Sequence, residues 1–235
     1  MATVKQSTKD LTADKFIHDL KKTGNKKIIR EGDETYLNIP MRHVFALAKE
    51  YMQMLPAEIE KLLESEIYEV RTGAVSIMDW KARHKQTTEE ERKALYNLYI
   101  KRHDRINSWG MVDRAAPYVV GGYLFDKPRK ILYKLAKSKD TWERRTSIVS
   151  TYYFIRQNDL KDTFKIAEIL VHDKEDLVQK AAGGWIREAG KRNKDLLLKF
   201  LDRYAATMPR PMLRYAIEHL SKQEKERYMN LKPRI

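Results

Sequence analysis

Five times along this chain a basic residue stands two positions before a small one inside an apolar-periodic stretch: Arg71-Thr72-Gly73, Arg114-Ala115-Ala116, Arg145-Thr146-Ser147, Lys180-Ala181-Ala182 and Arg214-Tyr215-Ala216. The basic positions follow one another at intervals of 43, 31, 35 and 34 residues. Self-similarity at a few tens of residues confines a chain to stacked supersecondary units, because each unit is too small to bury its apolar face without its neighbours. The small residues let neighbouring helices approach closely, and the basic ones are then expected in register along one edge. The competing reading is that so short a pattern recurs by chance in any basic helical protein.

The units are helical. From Met41 onward apolar residues recur at three- and four-residue spacing: Val44, Phe45, Leu47, Ala48 and Tyr51, then Ile59, Leu62 and Leu63, then Ile67, Val70, Ala74 and Ile77. Further helices are expected over 88–103, 109–121, 128–136, 141–156, 160–171, 177–189, 195–205 and 211–220, separated by turn signals such as Asn158-Asp159, His172-Asp173 and Pro209-Arg210-Pro211. Ahead of them, Thr12 is positioned to cap a first helix, with Leu11 and Phe16 as its hydrophobic staple and Gly24 as its stop. Residues 1–10 read as loose, and 26–38 as a loop or short broken helix. No segment alternates for long enough to be a strand. The expected class is all-α, a HEAT-like solenoid of antiparallel helix pairs forming one domain over 11–235, with a concave basic groove.

The chain carries 47 Lys and Arg against 33 Asp and Glu, a formal net charge of +14. A surplus of that size favours a polyanionic partner, nucleic acid before an anionic membrane surface. No run approaches the roughly 18 apolar residues that would span a bilayer, and the first ten residues lack the apolar segment of a secretory signal. The expectation is a cytoplasmic protein, nucleoid-associated when bound to DNA. Cysteine is absent, which excludes disulfides, thiolate metal sites and a cysteine nucleophile. The six histidines show no pair at ligand spacing, so neither a metal nor a cofactor is expected, and no phosphate-cradling glycine loop or serine-hydrolase elbow occurs.

One stretch concentrates chemistry: NSWGMVDRAAPYVVGG over residues 107–122. Positions i and i+4 share a helix face, so Trp109 and Asp113 point into the same space, beside Arg114. A carboxylate in a nucleic-acid groove repels the phosphates around it unless it faces positive charge developing on the ligand. The alternative is that Trp109 is core and Asp113 pairs with a neighbour such as Arg114 or Arg145.

With SWGMVD at 108–113, DTWERRTSI at 140–148 and VQKAAGGWIREAGKR at 178–192, the chain resembles the AlkD-like DNA alkylation repair proteins, HEAT-like solenoids described as glycosylases for alkylated bases. The resemblance runs from about Tyr36 to the C-terminal helices. It implies that Trp109 and Asp113 are the cleft aromatic and acid, and Arg145 the cleft arginine. The implied reaction is hydrolysis of the glycosidic bond of a cationic base such as 3-methyladenine or 7-methylguanine in duplex DNA, without extruding the base. The implied protein is a monomer acting on alkylated double-stranded DNA. A non-catalytic solenoid that binds duplex or branched DNA by shape is the alternative, and a scaffold for a protein partner would need an exposed apolar patch.

Two departures from the family pattern stand out. Its second cleft tryptophan falls on Gly184, with Trp185 one residue later and about 100° around the helix. A bulge at Gly183-Gly184 would swing Trp185 toward DNA; otherwise the glycines serve close approach of a helix or a DNA backbone. The other departure is residues 38–50, where the usual glycine and helix-preceding proline are missing or displaced. Lys180, Arg187 and Lys191 lie at i, i+7 and i+11, extended by Arg192 and Lys194, and together with Arg114 are expected to contact DNA. Trp80, Trp142, Tyr152, Tyr153 and Phe154 read as packing, and Glu89-Glu90-Glu91 as a helix N-terminus favoured by the macrodipole.

Overall fold

The computed structural model describes residues 11–23, 28–32 and 34–232. The loose N-terminus expected over 1–10 and the stop expected at Gly24 lie outside the described residues. The chain divides into two compact units, residues 1–123 and 124–235.

In the N-terminal unit, α1 (Ala13–Lys22) starts as its sequence dictates: the Thr12 side chain accepts from the Lys15 N–H, and Leu11 and Phe16 are both buried. A short antiparallel hairpin follows, β1 (Ile29–Glu31) and β2 (Glu34–Tyr36). It corrects the expectation of a loop or broken helix and of no strand at all. Three residues per strand are too few for alternation to register, although Gly32-Asp33 is a hairpin-turn dipeptide and Gly32 takes a φ of 59°. Then come α2 (Met41–Glu50), α3 (Pro56–Leu63), α4 (Tyr68–Arg83), α5 (Glu89–Lys101), a 3-10 turn (His103–Arg105), α6 (Trp109–Ala115) and a π-helix (Ala116–Gly122).

Helix α4 is the axis of this unit. It buries every residue but Tyr68, Trp80 and Arg83 and packs against α2, α3 and α6. A helix buried nearly all round must pair its polar groups, since each unpaired one costs several kcal/mol. Glu69 accepts the backbone N–H groups of Leu37 (3.0 Å) and Ile39 (3.3 Å). Arg71 meets Glu34, Asp79 meets Arg83 (2.7 Å), and Lys81 meets Glu91 (2.9 Å). Glu91 thus does more than favour a helix start: it closes a capping box with Thr88 and also holds a buried lysine. A Cβ at Gly73 would stand 2.5 Å from the Phe16 ring, so glycine is what lets α1 seat on α4.

The C-terminal unit comprises α7 (Lys130–Leu135), α8 (Thr141–Val149), α9 (Thr151–Arg156), α10 (Lys161–Leu170), α11 (Asp176–Arg192), α12 (Lys194–Tyr204), α13 (Arg210–Ala216) and α14 (Lys222–Met229). Helix α11 is its centre, packed against α8, α10, α12 and α13. The single helix expected over 141–156 breaks at Ser150. There Ser147, Ser150 and Thr151 turn their hydroxyls back onto the carbonyls of Arg144, Thr146 and Ile148 at 2.6–2.7 Å, competing with the backbone ladder. Helix α14, absent from the sequence expectation, is announced by a Ser221–Glu224 capping box and tied down by Arg227 and Tyr228 on Asp202. Phe154 is core as expected, whereas Tyr152 and Tyr153 are half-buried.

The repeat's small positions, Gly73, Ala116, Ser147, Ala182 and Ala216, are all buried. Its basic positions differ in exposure. Arg71 and Arg145 are only 2 % and 7 % exposed, while Arg214 faces solvent. Among the described residues no helix is long and apolar enough to cross a membrane.

Candidate active site

The start of α6 is fixed from three sides of the N-terminal unit. Arg71 donates to Glu34 (2.6 Å) and to the Ser65 carbonyl (2.8 Å), and Asn107 donates to the same Glu34 (2.9 Å). Burial alone would raise the Glu34 carboxyl, but the hydrogen bonds from Arg71 and Asn107 outweigh it and hold it below its ordinary value. Ser108 caps α6 by accepting from the Met111 N–H at 3.2 Å. Its hydroxyl also lies 3.3 Å from that of Tyr68, whose ring meets Tyr36 of the hairpin with centroids 5.3 Å apart.

Met111, Val112 and Ala115 turn into the core, which leaves the other face of α6 outward. On that face Trp109 is 58 % exposed, and Asp113 follows one turn later, half-buried. Of the alternative raised by the sequence, the part that made Trp109 core does not hold. Downstream, Pro117 has no N–H to give the Asp113 carbonyl, so the α-helical ladder cannot continue through it. The backbone widens instead into the π-helix Ala116–Gly122, where a single helix to residue 121 was expected. Such insertions gather at functional sites.

Arg114 points the other way. Its guanidinium lies 3.3 Å from buried Asp79 and stands over the rings of Phe45 and Trp80 at 4.7 and 5.0 Å. Burial lowers its pKa, and burial likewise raises that of Asp79 despite Arg114 and Arg83 beside it. Arg114 is thus committed to the interior of the unit, joining α6 to α4.

In the C-terminal unit Arg145 is a buried residue of α8 that donates through Nη1 to the Leu177 carbonyl in the first turn of α11. Helix α11 carries the remaining candidates. Lys180 pairs with Asp176, Lys191 with Glu188 at 2.8 Å, and Arg187 with both Glu188 and Glu218. Glu188 is held below its ordinary value: burial works against this, and Lys191 and Arg187 prevail.

Of the two alternatives at Gly183-Gly184 the bulge is absent, and α11 runs unbroken through both glycines. A Cβ at Gly183 would overlap the Met212 carbonyl oxygen, so this glycine serves the contact of α11 with α13. Trp185 accordingly packs against Ile155, Leu160 and Ala189 and tilts onto Tyr152, centroids 4.9 Å apart. Sequence reasoning passed over Glu34, Tyr68 and Asp79, which support α6. Their partners are 73, 40 and 35 positions away in sequence for Asn107, Ser108 and Arg114, beyond any local spacing rule.

Known proteins bear on this arrangement. No curated protein matches the chain. A solved structure described as a predicted DNA alkylation repair enzyme from Enterococcus faecalis matches with a TM-score of 0.64 and 16% identity, covering 94% of this chain and all of that one, which establishes the likeness of fold. The family model for the DNA alkylation repair enzyme matches residues 15–220. With most of its length inside that match, and α6 and α11 both within it, the chain belongs to the DNA alkylation repair enzyme family.

Proposed function

We propose that the chain is a monofunctional DNA glycosylase that hydrolyses the N-glycosidic bond of cationic alkylated purines, 3-methyladenine or 7-methylguanine in type, in duplex DNA. The observation that carries this reading is the outward face of α6, where an exposed indole and a carboxylate share one helical turn. An alkylated purine is positively charged and a good leaving group. As the bond from C1′ to the base nitrogen breaks, its electron pair leaves with the base and neutralises it, and the sugar becomes oxocarbenium-like. Water adds to C1′ and gives up a proton, leaving an abasic site with the strand intact. Asp113 supplies negative charge against the cationic sugar and positions the water, an electrostatic effect of the kind usually worth 10²–10³ in rate. The Trp109 ring face lies against the sugar, where it also favours positive charge.

Arg145 takes the part of a phosphate ligand, its plane oriented by the Leu177 carbonyl. Lys180, Arg187 and Lys191 give α11 further cations for backbone phosphates, in competition with their present carboxylate partners. The protein acts as a monomer in the cytoplasm.

The test is base release from methylated duplex DNA, read as alkali-labile sites. Wild type should release 3-methyladenine or 7-methylguanine, Asp113→Asn and Trp109→Ala should not, and all three should bind undamaged duplex alike. No release by wild type, with binding retained and indifferent to Asp113, assigns the chain to shape-based DNA binding instead.

A further inference from the structure

Beside the C-terminal ends of α2 and α4 lies an open cavity of about 490 Å³, lined by Lys49, Trp80, Arg83, His84, Lys85 and Gln86 together with Met52. No carboxylate lines it. Two cavities of the C-terminal unit do include acids: Asp159 and Glu168 in one, Asp159 and Asp162 in the other.

Cations near a helix C-terminus are ordinarily explained by the partial negative charge of its free carbonyls. Here two of the carbonyls at the end of α4 are already supplied. The Lys81 carbonyl accepts from the His84 N–H (3.0 Å) and the Thr87 hydroxyl (2.6 Å), and the His84 carbonyl accepts from Arg92 (2.9 Å). Lys49 and Lys85 are exposed, and among the described residues neither ammonium enters an ion pair. Lys49 is instead held 5.1 Å over the Trp80 ring, which Arg114 also faces at 5.0 Å. With two cations on it and its Nε1–H given to the Phe45 carbonyl at 3.1 Å, the indole acts as a wall that collects positive charge. It is not a stacking platform. Below the cavity, buried Asp79 is shared between Arg83 and Arg114, so this acid leaves the lining net positive.

A cavity with several N–H donors, surplus positive charge and no acid fits a compact oxyanion. We propose that it seats a backbone phosphate of bound DNA, an anchoring contact additional to the α6 face. This rests on the DNA-binding part of the reading above and not on glycosylase activity. The contact carries no sequence information and sets the register of the duplex on the N-terminal unit.

The experiment measures binding of the full chain to a labelled, undamaged duplex by fluorescence anisotropy, from about 50 to 300 mM salt. Lys49→Ala/Lys85→Ala should lower the slope of log K against log salt by about 0.9, the contribution of one phosphate contact. Lys49→Arg/Lys85→Arg should keep the wild-type slope. A control, Lys61→Ala/Lys101→Ala, removes two charges already paired with Glu58 and Glu60 and should leave the slope unchanged. An unchanged slope in Lys49→Ala/Lys85→Ala, or an equal loss in the control, overturns the proposal. Because undamaged DNA is used, a wild type that releases no base but shows the slope change removes the glycosylase reading alone. Normal base release with no slope change removes the anchor alone.

Discussion

Arg114 and Asp79 meet at 3.3 Å inside the N-terminal unit, a pair that joins α6 to α4 in addition to the buried side chains of Met111, Val112 and Ala115. Removing Arg114 leaves buried Asp79 still paired with Arg83 at 2.7 Å, so the loss is that of one charged partner, about 2 kcal/mol. Arg114→Ala should therefore lower unfolding stability by about that amount in a denaturant titration. Asp79→Asn added to it should recover part of the loss, because burial already disfavours the ionised Asp79. Lys should substitute poorly for Arg114, since a point charge cannot lie flat over Phe45 and Trp80.

At the outward face of the same helix the expectation reverses. Trp109 is exposed, so Trp109→Ala should leave the thermal midpoint within a degree or two while abolishing most base release. Asp113→Asn should lower the single-turnover rate by about 10²–10³ with little change in affinity for undamaged DNA, the signature of a group that acts on developing charge.

The two adjacent glycines of α11 should respond with opposite signs. Gly183→Ala forces a methyl onto the Met212 carbonyl and Tyr215, and should cost about 1–3 kcal/mol. At Gly184 the new Cβ meets only Tyr215 at 3.9 Å. Gly184→Ala should therefore stabilise by about 0.5–1 kcal/mol through helix propensity. Chemical denaturation of both variants reads the difference directly.

Acid should loosen the C-terminal helix. The hydrogen bond from Lys194, then those from Ser221, hold Glu224 down from an ordinary 4.5 to about 2. A carboxyl whose folded value is depressed contributes stability above its unfolded value and loses it as pH falls through the folded one. Protection of α14 amides against hydrogen exchange should thus decline between about pH 4.5 and 2. In Glu224→Gln that decline should be absent, with lower protection already at neutral pH.

Much of this protein could be read without coordinates, for local reasons. Thr12, Thr88 and Ser108 each cap the helix that follows them, and apolar spacing located nearly every helix. The helical turn alone places Trp109 and Asp113 on one face. Signals shorter than a window were missed: three-residue strands around Gly32-Asp33, and a capping box at Ser221 beyond the last expected helix. Hydroxyl back-bonding at Ser150 was invisible because Ser and Thr carry the same letters whether they cap, bend or simply pack.

The linear order of residues determined the all-α class, the helix faces and the indole–carboxylate turn, because each depends on contacts within a few positions along the backbone. How far each basic residue is drawn inward was decided only by the tertiary structure. Arg71, Arg114 and Arg145 occupy equivalent places in the repeat as Arg214 does, yet Glu34, Asp79 and the Leu177 carbonyl draw the first three inward. Burial makes an unpaired charge so costly that a distant acceptor, wherever folding delivers it, outweighs any pattern written locally.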